Sequence, residues 1–476
     1  MKKWLVMLWV SLTLTSCAVG PDYERPAAAA PERYKEAPEG LAEVPPGSQQ
    51  WWNVFDDSKL NELVSRVEVS NQTLAASEAA YRQAVAVIGQ QRAILFPMVT
   101  GTLDATRVGG PARDNTITTP GGGSTGFGTR GAETYGAGVN VNWEIDLWGR
   151  VRRSLENAQA LASASAGDLA SAKLSLQAQA ATAYLQLREA DAQLRLLDDT
   201  VVAYTRALQI ALNRYNAGVA AKTDVTQAQT QLANAQDQAA ALVLQRAQLE
   251  HAIAALIGVP AGSFTLEADP DWRTGVPAVP SGIPSELLQR RPDIAAAERR
   301  VAAANASIGI EKAAYFPSLT LNGGYQFLSG TISSLFDRAN EANSIAASAA
   351  QTIFDAGATR ARVAGARAAY DQSVADYRQT VIAAFQNVED QLAAARQLEQ
   401  QYELRRQASE AADETERLTF NQYRAGQVSY TNVVVAQTAA LSARVALAEI
   451  VAERQTTVIS LIQALGGGWT ESELPP

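Results

Sequence analysis

The chain has 476 residues, enough for two or three soluble domains or for one large repetitive structure. Its net charge of -9 argues against nucleic acid as a partner. One Cys and one His, Cys17 and His251, lie far apart. That excludes Cys/His metal sites, Cys–His nucleophile pairs and Ser–His–Asp triads unless His251 acts alone, and a single His in a helical run reads as structural.

Residues 1–16 read as a secretory signal. Lys2 and Lys3 precede an apolar run from Trp4 that ends in small residues, and the run is too short to cross a bilayer as a helix. Leu14-Thr15-Ser16-Cys17 resembles a bacterial lipobox, with Cys17 as the lipid attachment site and first residue of the mature chain. Ala18 after that Cys fits an outer-membrane address. Residues 17–50, rich in Pro, Ala and Glu, read as the lipidated N-terminus and an extended tether.

Residues 96–148 read as a hairpin. In its second arm Val139, Val141, Trp143, Ile145 and Leu147 alternate with Asn140, Asn142, Glu144 and Asp146, a period of two with one apolar and one polar, acidic face. The first arm alternates Val99, Leu103 and Ala105 with Thr100, Thr102, Asp104 and Thr106. About ten residues per arm suit a tilted transmembrane strand, although a half-buried soluble sheet has the same pattern.

The chain is a duplication. Glu78, Ile88, Gly89, Phe96 and Pro97 recur 220 residues later as Glu298, Ile308, Gly309, Phe316 and Pro317. Gly149, Tyr215, Gly218, Val225 and Gly258 recur 208 residues later as Gly357, Tyr423, Gly426, Val433 and Gly466. The offset falls by 12, so the first hairpin loop is the longer. The first repeat spans 51–283, with a helical segment at 57–95, the hairpin, a long helix at 151–215 and a return helix at 224–257. The second spans 284–466, with a hairpin at 316–355, a long helix at 359–423 and a return helix at 432–465; a tail follows at 467–476. Its first strand alternates well, with Leu319, Leu321, Tyr325 and Phe327 against Ser318, Thr320, Asn322 and Gln326, while the second, near 344–354, is Ala-rich and weak. Both long helices stop at a Tyr-x-Ala-Gly turn, where Gly suits a left-handed helix end.

The first long helix carries a heptad, Leu187, Leu194, Val201, Leu208 and Tyr215, with Ala190, Leu197, Tyr204 and Ala211 at the companion seam position. A helix of about 65 residues is on the order of 100 Å long, and the two shorter helices of a repeat sum to nearly that length, so each long helix is expected beside a stacked pair. Four strands cannot close a barrel in lipid. Three copies would supply twelve, with the polar faces lining a wet lumen. The expected fold class is an α+β membrane duct: four β-strands per chain in a trimeric 12-stranded β-barrel, plus a long α-helical coiled-coil barrel with an internal two-fold repeat.

These features together resemble the outer membrane factors, the TolC/OprM-like, NodT-type lipoproteins that form the exit duct of tripartite efflux systems. The resemblance runs from end to end: Cys17-Ala-Val-Gly-Pro-Asp-Tyr-Glu-Arg-Pro26, Trp51-Trp52 with Phe55 and Asp57, Leu287-Leu288-Gln-Arg-Arg-Pro292-Asp-Ile294 with Glu298, both Phe-Pro strand starts, Trp143-Glu-Ile-Asp-Leu-Trp-Gly149 and both Tyr-x-Ala-Gly turns. It implies a homotrimer anchored in the outer membrane through acylated Cys17 and extending into the periplasm. It implies an equatorial belt from 41–54, 259–282 and the tail, and as partners a periplasmic adaptor and an inner-membrane RND-type pump. No cofactor, metal or enzymatic activity is expected.

The resemblance also implies a periplasmic gate at the two helix turns. Asp224 and Tyr423 stand at gating positions; Asn432 and Val435 stand where relatives often carry Asp, so a cation-binding acidic ring is not expected there. Asp224 reads equally as a helix N-cap. Tyr215 and Tyr423 read also as seam residues at a coiled-coil end. Asn140, Asn142, Glu144 and Asp146 are assigned to the lumen-facing strand, the two carboxylates to lumen potential or to the strand–helix junction. Small-molecule efflux is expected, with a protein-secretion duct or a mere periplasmic scaffold as the alternatives.

Overall fold

The computed structural model describes residues 18–37, 50–107, 116–118, 124–126, 133–269, 272, 275–278 and 288–474. Cys17 and the signal segment lie outside the described residues, as does part of the expected belt. In chain order the elements are α1 (Ser58–Ser70), α2 (Gln72–Ala93), β1 (Met98–Arg107), β2 (Thr116–Thr118), β3 (Ser124–Gly126), β4 (Glu133–Ile145), α3 (Arg150–Asn216), α4 (Lys222–Leu256), α5 (Pro292–Ala313), β5 (Ser318–Ser329), β6 (Glu341–Ala350), α6 (Ala358–Arg424) and α7 (Tyr430–Ala464).

The duplication is visible in the helix lengths. Helices α2 and α5 have 22 residues each, α3 and α6 have 67, and α4 and α7 have 35. Their first residues stand 220 apart for the first pair and 208 apart for the other two, the same offsets that relate the sequence motifs.

The chain folds into two compact units. The first comprises residues up to Pro26, Gln83–Ala162 and Arg299–Val374. It holds a four-stranded antiparallel sheet in the order β1-β4-β5-β6, so the two hairpins meet through β4 and β5. A separate small pair, β2 with β3, lies in the long loop of the first hairpin and was not legible in the sequence. Strand β6 corrects the expected 344–354: it runs Glu341–Ala350 and pairs with β5 over its whole length, from Phe327↔Glu341 to Ser318↔Ala350. Alanine has little strand preference of its own, and the neighbouring β5 decides the pairing. Ile353 and Phe354, expected inside the strand, lie beyond it and are exposed.

The second unit comprises Ala27–Arg82, Ser163–Glu298 and Ala375–Pro476. Its largest core joins Trp51 and Trp52, Leu60, Leu63, Val64 and Val67 of α1, Ala180, Ala181, Tyr184 and Leu187 of α3, and the ends of α4 and α7 at Ile253, Ile257, Ile459 and Ile462. The first helical segment is not continuous as expected but breaks at Asn71. Its amide donates to the Leu256 carbonyl (2.7 Å) and its side-chain oxygen accepts from the Leu74 backbone (2.9 Å). One Asn thus caps the start of α2 and ties it to the end of α4, which a helical position could not do. Asp57 caps α1 by accepting from Lys59 and Leu60, and its other oxygen accepts from the Tyr184 hydroxyl at 2.8 Å.

The coiled-coil seam of α3 is narrower than the heptad suggests. Ala190, Leu197, Tyr204 and Ala211 are buried, whereas the companion row passes from Leu187, fully buried, to Tyr215, 42% exposed. An α-helix drifts by about 20° per heptad relative to a strict seven-residue repeat, which is the direction in which the Leu187–Tyr215 row leaves the seam, while the Ala190–Ala211 row stays buried throughout. Gly218 and Gly426 both take φ +77, and the next residue's N–H reaches back to the carbonyls of Arg214 and Gln422. These are left-handed helix ends that a side chain would strain.

Candidate functional site

Pairing register sorts the sheet into two chemically distinct faces. Asn140 stands opposite Thr100 and Gly324, Asn142 opposite Asn322, and Glu144 opposite Thr320. Asn142 bonds to the Asn322 side chain (2.7 Å) and Thr320 to Ser348 (2.7 Å), so this face carries a hydrogen-bonded polar layer across β4, β5 and β6. The other face aligns Val139 with Tyr325, Val141 with Gly323, Trp143 with Leu321 and Ile145 with Leu319. Aromatic rings stand toward both ends of this apolar face, Trp143, whose ring N–H donates to the Leu95 carbonyl (3.0 Å), at one and Tyr135 and Phe327 at the other, with Tyr325 opposite Val139 between them. Such a band between two aromatic levels is the pattern of a transmembrane barrel exterior.

The carboxylates at the foot of β4 do different work from Asn140 and Asn142. Both oxygens of Glu144 accept from the Arg150 guanidinium, at 2.9 and 2.6 Å. Asp146 lies one residue past the strand end at Ile145, so of its two expected places, the lumen-facing strand and the strand–helix junction, it holds the junction. It accepts from the backbone N–H groups of Val151 and Arg152 and from the Arg152 side chain, and so caps α3. In the second repeat the same task falls to Asp355, which the sequence reading missed. It accepts from the Gly357 and Thr359 backbones and the Thr359 hydroxyl, and these bonds, the hydroxyl's first, hold its carboxyl below the usual range.

The tether is not a free spacer. In the first unit Val19 N–H donates to the Trp148 carbonyl, Asn305 donates to the Pro21 carbonyl, and Asp22 pairs with buried Arg153 at 2.9 Å. Gly20, with φ +122, lies so close to Gly309 of α5 that a Cβ would sit 2.6 Å from the Gly309 Cα. In the second unit Tyr34 is buried against Phe385, and the backbone N–H groups of Lys35 and Glu36 donate to Glu389. A Pro-rich extended strand makes no internal hydrogen bonds, so its backbone is free to bond the helices it crosses.

At the helix turns the structure separates the expected gate residues. Tyr423 and Tyr430 are 2% and 1% exposed, with ring centroids 5.2 Å apart, in a small core with Ala207, Ala211, Val225 and Val433. Arg214, unremarked in the sequence, lies 4.8 Å over the Tyr423 ring and donates to the carbonyls of Tyr423 (3.1 Å) and Arg424 (3.5 Å). It binds the turn of one repeat to that of the other. Burial, then the charge of Asp224, raises the Tyr423 phenol, while Arg214 opposes the shift. Tyr430 is pushed up to about 12, mainly by burial. Asp224 is the third residue of α4, whose N-cap is Ala221, so Asp224 is not a cap; it is half-buried, and its charge helps to raise both phenols. Tyr215, Asn432 and Val435 are exposed and belong to no such cluster.

Midway along the second unit a buried charge network secures the 264–267 segment. Asp191 pairs with Arg188 (2.8 Å) and Arg246 (2.6 Å), and Arg246 also with Glu250 (3.2 Å). Arg246 donates to the Leu266 carbonyl and Arg188 to the Glu267 carbonyl, while Glu250 accepts from the Leu266 N–H. Among the described residues no group of three His, Cys, Asp or Glu is arranged to hold a metal.

This two-faced sheet with paired helical hairpins has close relatives. The profile of the outer membrane efflux protein family matches residues 63–259 and 283–467. The probable efflux pump outer membrane protein TtgC of Pseudomonas putida is 33% identical over 99% of this chain and 96% of its own length. OprJ, an outer membrane protein of Pseudomonas aeruginosa, is 30% identical over 98% of this chain and 95% of its own. The solved structure of the outer-membrane channel OprN is 31% identical, covers 95% of this chain and 100% of that one, and superposes with a TM-score of 0.84. The chain therefore belongs to the outer membrane efflux protein family.

Proposed function

We propose that this outer membrane channel is the passive exit duct of a tripartite efflux system. It works as a homotrimer and conducts small molecules (drugs, toxic compounds or metal ions) delivered by a periplasmic adaptor and an inner-membrane RND-type pump. The observation that carries the assembly is the pair of free sheet edges. Within the chain β1 pairs only with β4 and β6 only with β5, so each outer edge has a row of unpaired backbone groups among the described residues. Lipid does not tolerate such edges, and three copies close them into twelve strands with the Asn140–Asn142–Asn322 layer turned to the lumen. That TtgC is named an efflux pump protein favours small-molecule export over protein secretion. The test is the mass of the purified protein in detergent together with its conductance in planar bilayers. Trimers that conduct ions are expected; stable monomers would refute the proposal.

The tip is the regulated end. In this reading Arg214 and Tyr423 latch the two turns of each chain, and Asp224 adjusts the latch through its charge. Tyr215, Asn432 and Val435 then line the aperture or meet neighbouring copies. Cys17 carries the lipid, tested by incorporation of labelled palmitate that Cys17→Ala abolishes. Trimers should persist in that variant, because strands and helices carry the assembly.

A further inference from the structure

The connection between β5 and β6 is a folded lobe rather than a slack loop. Two 3-10 turns, Ile332–Ser334 and Arg338–Asn340, are braced by hydroxyls: Ser334 bonds both Ser329 and Thr331 (2.7 Å each), and Asn340 donates to the Ser334 carbonyl (2.7 Å). Leu335 is buried beneath the lobe, yet Ile332 and Phe336 are 71% and 69% exposed. A lobe braced in this way holds two large apolar side chains outward at fixed positions.

The direction they face follows from their neighbours. Phe336 packs edge-on against Phe327 (5.4 Å), and Phe327 against Tyr325 (5.5 Å). Tyr325 and Phe327 stand on the same face as Val139, Val141 and Leu321, the apolar face of the sheet. Phe327 belongs to β5, which has β4 on one side and β6 on the other, so this aromatic run lies away from both free edges where another copy would pair. We propose that the Ile332–Phe336 lobe is seated in the outer leaflet of the membrane, with both side chains among lipid acyl chains, extending the barrel's lipid-facing surface past the end of β5. The occupant is lipid because Phe336 joins the lobe to the Phe327–Tyr325 run of the apolar face, and the lobe is followed by Asp337 and Arg338, exposed charges suited to the headgroup level. The inference rests on the outward facing of the Tyr325 row.

The test is site-directed spin labelling of the full-length protein in vesicles of phosphatidylethanolamine and phosphatidylglycerol. Nitroxides are placed through Ile332→Cys and Phe336→Cys, with Val139→Cys as the expected lipid-facing reference and Gln326→Cys as the lumen-facing one. The proposal expects labels at 332 and 336 to be relaxed by oxygen and shielded from a water-soluble nickel chelate, as at 139. Chelate accessibility equal to that at 326 would overturn it, and so would shielding from both reagents, which would mean burial against another copy. If 139 itself were chelate-accessible, the facing of the whole sheet would fail and the lobe assignment with it. The high exposure of Ile332 makes its label the least disturbing to folding, so the two positions check each other.

Discussion

Arg214 joins the helix turns of the two repeats through one ring and two carbonyls. A guanidinium over an aromatic ring contributes about 0.5–2 kcal/mol, and here it also satisfies two carbonyls at the end of α6. Arg214→Ala should release the second repeat's turn and raise the open population roughly tenfold for a loss near 1.4 kcal/mol, read as open probability and hence summed conductance in planar bilayers. Asp224→Ala should have a smaller effect, since a first-turn carboxylate contributes about 0.3–1 kcal/mol to its helix. Equal conductance changes in the two variants would remove the distinction. Glu189 offers a separate test. Burial, followed by the charges of Glu449 and Glu453, pushes its carboxyl up to about 7. An acid raised in the fold contributes stability that is full below its unfolded value near 4.5 and is lost as pH rises through about 7. Glu189→Gln should therefore stabilise the fold at pH 8 by about 1 kcal/mol after allowing for solvent screening, read as a higher thermal midpoint, and leave the midpoint unchanged at pH 4. A midpoint raised equally at both pH values would point to packing instead. At Gly20 the close approach to Gly309 leaves no room for a methyl group, so Gly20→Ala should free residues 18–22, seen as faster hydrogen exchange there.

At the scale of elements, β4 is the strand whose two faces were plainest in the sequence, and its register confirms the alternation from Val139 to Ile145. Val139 lies near its middle, while Trp143 bonds near its C-terminal end to Leu95. A Lys at Val139 should cost about 2–4 kcal/mol in bilayer insertion, whereas Asn140→Lys on the polar face should be tolerated. The yield of heat-resistant protein in the outer membrane would separate them, and equal losses would contradict the facing. The Ala-rich β6 was hard to place because Ala and Ser carry no alternation, so only its pairing with β5 locates it. Asn71 was equally hidden: a helix-compatible run continues on both sides, and the break depends on the Leu256 carbonyl, 185 residues away. Arg214 lacked any motif because its partners lie at Tyr423 and Arg424, across the duplication.

For the whole molecule, the repeat, the helix lengths and the two-faced strands were local and periodic, and therefore readable along the chain. A duplicated chain with two amphipathic hairpins and long helices read as about 65 residues each already implied a duct, since no isolated four-stranded sheet closes in lipid. What the tertiary structure decided is where distant residues meet. It settled Asp146 at the strand–helix junction as a helix cap, buried Tyr423 beneath Arg214, and laid the supposed tether along helices through Gly20, Asp22 and Tyr34. The physical reason is the same in each case. Period and composition are properties of neighbours in sequence, whereas a cap, a ring contact or a docked strand depends on which groups three-dimensional packing brings within a few ångströms.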